Sequence, residues 1–374
     1  MFPRRVGGTE TYARALLAEY TRGNGPERVT VLANRHVAAE YGHATSDSVA
    51  LHHVHSYRSG ERMTTRALAM AWARMAPRRV ARNVPDDIDV LHLPVTVPIP
   101  KLDRPTVVTI HELFYYELSR EHLSTPQRWY RRWAYDGSAR NATIVVAISS
   151  YVADRLAEYS GINRDRIEVV PYGVEHDRFR PQSEPGDAAR LKSLELPERF
   201  LLYPATFMPY KNHARLLEAL ASVPDRTLAL VLAGQDYGRL PQLQEHAHTL
   251  GVADRVRHVS HVEPATLAAL YRRAEATVFP SLAEGFGLPP LEAMACGCPV
   301  ASAKNTSLAE VCGDAALELE PENPTQMTAS ITQITEDQLL RANLRERGLK
   351  RAKRFSWATA AERHVEIYRR AAAT

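Results

Sequence analysis

The sequence predicts an α/β protein made of two doubly wound domains, each built on a parallel sheet. Three observations carry that expectation. Short apolar runs alternate with helical patterns through both halves of the chain, as strands interleaved with helices do. A proline-rich stretch without apolar period, 175–197, separates the halves. The length of 374 residues, 45% of them hydrophobic, suits two cores better than one.

In order, the first half offers strand-like runs at 29–33, 90–93, 107–110, 144–148 and 167–170. Pro181, Pro185, Gly186 and Pro197 then sit among charged residues, so 175–197 is expected to be a linker between a domain of residues 1–174 and one starting at 198. Runs at 200–203, 228–233, 256–259 and 276–280 resume the pattern.

The most informative stretch follows the last of these. Glu284-Gly285-Phe286-Gly287-Leu288-Pro289-Pro290-Leu291-Glu292 sets two carboxylates eight residues apart around a glycine-bracketed turn. Pro289 suits a first helical turn and Gly297 a helix end, so the glycines fall where a strand passes into a helix. In an α/β sheet that is the carboxyl edge, where helix-start amides favour an anion such as a diphosphate. Glu292, about one turn into the helix, is placed to accept hydrogen bonds from ligand hydroxyls. Read from these residues alone, an ordinary strand-turn-helix with a capping Glu284 and a solvated Glu292 remains the alternative.

Composition narrows the class further. The net charge of +4 arises in the first half. There Arg58, Arg62, Arg66, Arg74, Arg78, Arg79 and Arg82 accompany one acid, Glu61, and Arg128-Trp129-Tyr130-Arg131-Arg132-Trp133 mixes cations with aromatics. Both clusters suit peripheral contact with an anionic inner-membrane surface, or a solvated arginine face over a buried apolar stripe. No recognised nucleic-acid-binding module accompanies the charge. No apolar run approaches the ~20 residues that span a bilayer, and 1–5 lacks a signal-peptide apolar region, so a cytoplasmic protein is expected. Cys296, Cys298 and Cys312 are expected to be reduced structural thiols. His52-His53-Val54-His55 lacks a carboxylate or cysteine partner nearby, and Asp87-Ile88-Asp89 leads into a strand, so no metal is expected.

Eight segments, in order, resemble the retaining glycosyltransferases of family 4, which have the GT-B fold. They are Val6-Gly7-Gly8-Thr9-Glu10-Thr11, Val108-Thr109-Ile110-His111-Glu112, Ala147-Ile148-Ser149, Val170-Pro171-Tyr172-Gly173-Val174, Pro209-Tyr210-Lys211-Asn212, Val259-Ser260-His261-Val262, the two-glutamate motif and Gly313-Asp314-Ala315-Ala316. The resemblance implies two Rossmann-like domains facing across a cleft, the second (198–355) binding a nucleotide-sugar. A final helix, 356–374, would return to the first.

It also implies roles for single residues. Glu292 matches the residue that holds the ribose hydroxyls. Glu284 matches the one that holds hydroxyls of the donor sugar, with Gly285, Phe286, Gly287 and Leu288 beside it. Lys211 matches the lysine that neutralises the diphosphate, Val262 a position whose backbone contacts the base, and His111 a histidine beside the reacting sugar. Gly7 and Gly8 match a loop that closes over phosphates and acceptor.

The sequence departs from the family at three places. Thr206 stands where many members carry a second, arginine cation for the diphosphate, and Tyr172 where asparagine is common. Only residues 1–6 precede the Gly7-Gly8 loop, where members usually have a complete strand, so the first strand of the first domain is expected to be missing, most economically through a start site placed too late.

The implied reaction moves a hexosyl group (mannosyl, glucosyl or N-acetylhexosaminyl) from a UDP- or GDP-sugar to a glycan, glycolipid or natural-product hydroxyl. Configuration is retained on one face of the sugar, with no metal or other cofactor. The alternatives are an inactive sugar-nucleotide sensor or partner subunit, and a sugar-nucleotide epimerase of similar fold.

Overall fold

The computed structural model describes residues 8–26, 28–33, 46–54, 78, 81–95, 100–119, 123–260 and 262–374. The chain divides into two compact units, Met1–Gly173 with Trp357–Thr374, and Val174–Ser356.

Among the described residues of the first unit, six parallel strands form two sheets. β1 (Val29–Ala33) pairs with β2 (Val49–His53). Separately, β3 (Leu91–Leu93), β4 (Thr106–Ile110), β5 (Ile144–Ala147) and β6 (Ile167–Val169) follow one another in chain order. β4 and β5, rich in valine and isoleucine, are buried throughout, as strands covered on both faces must be. The sequence gives little sign of β2, because it ends in two exposed histidines, His52 and His53. The run once open to a metal reading is therefore partly a strand, and His55 lies outside the described residues.

The helices Gly8–Thr21 and Trp357–Ala372 pack on this unit, and a buried chain of hydrogen bonds ties them to β3 and β4. His364 Nδ1 lies 2.6 Å from the carbonyl of Ala360, which can only accept, so that nitrogen carries the proton. Nε2 of the neutral ring then accepts from Tyr12, 2.7 Å away. Tyr12 in turn accepts from Thr109 (2.9 Å), and Thr109 from His92 Nε2 (2.9 Å). His92 Nδ1 accepts from Tyr368 (2.6 Å), whose oxygen accepts from Tyr20 (2.9 Å). One carbonyl thus fixes the direction of every proton in the series. Burial holds the pKa of His364 down to about 4 and that of His92 well below the usual histidine value, with His364 and His111 adding to the effect on His92.

The second unit contains one six-stranded parallel sheet. Its strands are β7 (Phe200–Pro204), β8 (Ala229–Ala233), β9 (Val256–Val259), β10 (Ala276–Phe279), β11 (Val300–Ala303) and β12 (Leu317–Leu319), in the order β12-β11-β10-β7-β8-β9. The chain leaves β7 toward β8 and β9, then crosses to the other side for β10, so the topological switch lies between β7 and β10. β11 escaped the sequence pattern because Ala301, Ser302 and Ala303 lack strand-forming bulk, and β12 because it has three residues. The stretch 175–197, expected as a linker, belongs to this unit: Arg272 pairs with Asp187 at 2.8 Å and donates to the carbonyl of Arg180 at 3.2 Å.

The histidine chain gives a pH dependence of defined sign. A histidine whose folded pKa lies below its unfolded value contributes stability that is full above about pH 6.5 and lost as the pH falls toward the folded value. For His364 and His111, both held near 4, the loss is about 3 kcal/mol each across that interval. The melting temperature followed by circular dichroism should be level above pH 7 and drop steeply between pH 6.5 and 4. Tyr12→Phe, which removes one hydrogen bond from Thr109 and one from His364, should cost roughly 1–3 kcal/mol at pH 7.5.

Candidate functional site

Apart from Glu292, the sequence-predicted residues of the second unit lie beyond the carboxyl ends of its strands. Thr206 and Lys211 follow β7, Val262 follows β9, and 284–288 follow β10. Lys211 and Glu284 therefore come from the two strands that flank the switch point. Their side chains form an ion pair between Lys211 Nζ and Glu284 Oε1, both about 15% exposed (16% and 15%).

The backbone under each member of the pair is held in place. Tyr203, fully buried in β7, donates to the carbonyl of Lys211 at 2.7 Å. Asn212 adopts a left-handed conformation (φ 64°) and donates to the carbonyls of Pro280 (3.1 Å) and Pro321 (2.6 Å), so it stitches the lysine loop to the end of β10. On the other side, the hydroxyl of Thr306 accepts from the amide of Glu284 at 3.2 Å. Ser307 Oγ lies 2.7 Å from the carbonyl of Glu284 and 2.9 Å from that of Phe286. Asn305, Thr306 and Ser307 follow β11, an element hidden in the sequence, so their part in the site was hidden too.

Gly287 has φ 107°, and a Cβ there would lie 2.7 Å from Leu308 Cδ2. It precedes the helix Leu288–Ala295, whose next two residues, Pro289 and Pro290, have no N–H. The donors that this helix start can offer an anion therefore precede Pro289, in the glycine turn rather than in the first helical turn. Phe286 is buried, its ring edge-on to Phe355 at 5.9 Å.

Glu292 is buried on the same helix and accepts from the hydroxyl of Tyr271 at 3.2 Å. Burial pushes its pKa up to about 7 against the lowering effect of the Tyr271 hydrogen bond; the Glu175 carboxylate raises it further and Arg178 opposes that rise. Tyr271, from the helix Pro264–Arg273, was not singled out by the sequence, since a buried tyrosine on an amphipathic helix carries no positional signal.

Gly234 was also missed. It follows β8, between the ends that carry Thr206 and Val262, with φ 149°, and a Cβ there would lie 2.5 Å from the carbonyl oxygen of Ala205. The close approach lets the Thr206 loop lie against β8, where the amide of Phe207 donates to the carbonyl of Gln235 at 2.9 Å.

In the first unit Gly7 lies outside the described residues, and Gly8 opens the helix Gly8–Thr21. His111 follows β4, and both ring nitrogens are engaged. Nε2 lies 2.7 Å from the carbonyl of Pro94 and so carries the proton, while Nδ1, at 2.5 Å, accepts from the hydroxyl of Tyr172. Burial holds the His111 pKa at about 4, against the Pro94 hydrogen bond that raises it, so the ring is neutral at physiological pH. Tyr172, the departure from the asparagine of the family, stacks on Tyr12 with centroids 5.3 Å apart and stands 5.5 Å from Trp357. The Pro94 carbonyl fixes the histidine tautomer, and the Tyr172 hydroxyl donates to the nitrogen left without a proton.

The two basic clusters are less informative. Most of the Arg58–Arg82 segment lies outside the described residues. Arg128 donates to the carbonyls of Leu123 and Tyr115, Arg131 pairs with Glu112, and Arg132 lies 5.1 Å from the centroid of the Tyr116 ring. These arginines are engaged within their own unit. Cys296, Cys298 and Cys312 are free and buried, each with its pKa pushed up to about 12 by burial. Among the described residues no helix is long and apolar enough to cross a membrane.

Solved structures share this architecture. The Anabaena protein HepE, crystallised in complex with UDP and glucose, superposes with a TM-score of 0.74 at 20% identity, over 97% of this chain and 96% of its own. Sucrose-phosphate synthase from Thermosynechococcus elongatus gives 0.75 at 20% identity, over 98% and 94%. The fold is GT-B, that of a large class of glycosyltransferases. Residues 6–178 match the family model Glycosyltransferase Family 4 and residues 189–351 the model Glycosyl transferases group 1, and the chain belongs to this family of glycosyltransferases. Among curated relatives, O-antigen chain mannosyltransferase B of Escherichia coli is 29% identical over 81% of this chain and 80% of its own length. D-inositol 3-phosphate glycosyltransferase of Corynebacterium glutamicum is 27% identical over 71% of this chain and 66% of its own.

The close approach at Gly234 is open to direct test. Gly234→Ala should destabilise the protein by about 1–3 kcal/mol, because a Cβ must displace backbone rather than a flexible side chain and the residue must keep a left-handed φ. Urea unfolding measures the difference, and an unchanged midpoint would contradict the close approach.

Proposed function

We propose that the protein is a retaining hexosyltransferase that moves a mannosyl, glucosyl or N-acetylhexosaminyl group from a UDP- or GDP-sugar to a hydroxyl of a glycan, glycolipid or natural product. The observation that carries the reading is the Lys211–Glu284 pair at the switch point of the second sheet, beside the glycine turn. The relative named as a mannosyltransferase and the UDP complex of HepE support the donor class.

In this reading the diphosphate competes with Glu284 for Lys211. When it takes the lysine, the carboxylate is released to accept hydrogen bonds from the donor sugar. The bond from the anomeric carbon to the phosphate oxygen breaks as the acceptor oxygen bonds to the same face, and the acceptor proton passes to the leaving phosphate. Charge grows on that phosphate, where Lys211 and the amides of 285–288 meet it. Thr206 and Val262 line the nucleotide end through their backbone. His111, neutral and held by Tyr172, can donate from Nε2 to a substrate hydroxyl in place of the Pro94 carbonyl. No metal or cofactor is called for. Peripheral contact with an anionic membrane surface rests on Trp129, 68% exposed and stacked on Trp133.

A melting scan with millimolar UDP, GDP and their sugar conjugates, followed by product analysis with the stabilising donor, tests the reading. One base class should stabilise the protein, and Lys211→Ala should weaken that donor roughly ten- to a hundredfold. Stabilisation by no nucleotide, or equal stabilisation of the variant, would sink it.

Glu292 supplies a second test. Ribose hydroxyls donate to a carboxylate, and this one is protonated below about pH 7. Donor affinity should rise with pH by up to about tenfold per unit below 7 and level off above it. Glu292→Gln should bind the donor weakly with no such slope, as isothermal titration at several pH values will show.

A further inference from the structure

Among the described residues, four other than glycine have a left-handed backbone, and three of these follow strands of the second sheet: Asn212 after β7, Tyr237 after β8 and Thr306 after β11. Two of the three use the conformation within the protein. Asn212 reaches the carbonyls of Pro280 and Pro321, and the hydroxyl of Thr306 accepts from the amide of Glu284. Tyr237 does not. Among the described residues its side chain has neither a hydrogen bond nor a ring contact, and it is 57% exposed.

The loop that presents this ring is fixed at both root and tip. At the root, the amide of Gly234 donates to the carbonyl of Val259 (3.0 Å), and His258 Nε2 donates to the carbonyl of Gly234 (2.9 Å). The Gln235 carbonyl, which accepts from Phe207, ties the same loop to the one that carries Thr206. At the tip, the amide of Arg239 donates to the carbonyl of Asp236 at 2.9 Å and closes a turn. Its two central residues, Tyr237 (φ 49°) and Gly238 (φ 78°), both have positive φ. Turns of that kind favour asparagine, aspartate or glycine at the first central position. A tyrosine there costs stability that no contact of its side chain offsets.

We propose that Tyr237 is a stacking platform for the nucleobase of the donor. The assignment rests on the function proposed above, which sets the diphosphate at Lys211 after β7 and the base at Val262 after β9. β8 lies between those two strands, so the loop that follows it stands along the nucleoside. A base has a planar face that water solvates poorly, and an exposed ring on a fixed turn meets it without first leaving a partner in the protein. The contact made on binding offsets the cost of the turn. Stacking tolerates any base, so Tyr237 supplies affinity for uracil and guanine alike and leaves the choice between them to hydrogen-bonding groups. The ring, not the hydroxyl, is the binding group.

The test is calorimetric titration of UDP, GDP and inorganic pyrophosphate into the unaltered protein, Tyr237→Phe, Tyr237→Ala and Tyr237→Gly. For the nucleotide that binds the unaltered protein, Tyr237→Ala and Tyr237→Gly should weaken affinity about five- to a hundredfold, and Tyr237→Phe by less than about threefold. Pyrophosphate, which has no base, should bind all four chains alike. Urea unfolding without ligand should give Tyr237→Gly a midpoint equal to or above that of the unaltered protein, since strain is relieved and no side-chain contact is lost. Equal nucleotide affinity in all four chains, or an equal loss for pyrophosphate, would overturn the platform and leave the proposed function standing. A lowered midpoint in Tyr237→Gly together with unchanged nucleotide affinity would make Tyr237 a structural residue and overturn it as well. Binding of neither nucleotide to the unaltered protein would overturn both the platform and the function.

Discussion

The second sheet reverses its direction of growth between β7 and β10, and the candidate site depends on that reversal. Loops from adjacent strands normally leave a parallel sheet toward the same side and crowd one another. At a switch point they part, and a crevice opens at the carboxyl edge. Lys211 and Glu284 stand on the two loops that part there, and in the absence of a better partner they neutralise each other. In the function proposed above, a diphosphate takes the lysine from the carboxylate and so frees Glu284 for the donor sugar.

Around this pair the structure uses rigid means. Asn212 in a left-handed conformation, the serine and threonine after β11 and the buried Tyr203 hold the backbone of both loops. The first unit relies on the same principle in another form. Its helices are tied to β3 and β4 by a hydrogen-bond series in which every proton position follows from one carbonyl, so the histidines of the series must remain neutral. His111 is held likewise, by Pro94 on one nitrogen and Tyr172 on the other. Buried polar groups of this kind are costly when incomplete and specific when complete.

Much of this was legible in the sequence. The strands that valine, isoleucine and leucine build announce themselves, and β4, β5, β7 and β8 lie where the apolar runs place them, give or take one residue. The two-glutamate motif is local, so its strand-turn-helix setting follows from glycine and proline chemistry. What stayed hidden has physical causes. β11 is buried but built of small residues, and it took Asn305, Thr306 and Ser307 out of view with it. Gly234 looked like any loop glycine until the Ala205 carbonyl was seen against it. The hydrogen-bond series joins residues up to 352 positions apart, a relation that no local pattern records.

The central claim is that Lys211 is shared between Glu284 and a diphosphate, and calorimetric titration of the nucleoside diphosphate alone tests it most directly. Glu284→Gln should tighten UDP or GDP relative to the unaltered protein, because the lysine no longer has to leave a carboxylate, and should weaken the corresponding nucleotide-sugar. If Glu284→Gln weakens the bare diphosphate as much as Lys211→Ala does, or if neither change alters its affinity, the two side chains do not compete for the anion and the account of the site is wrong.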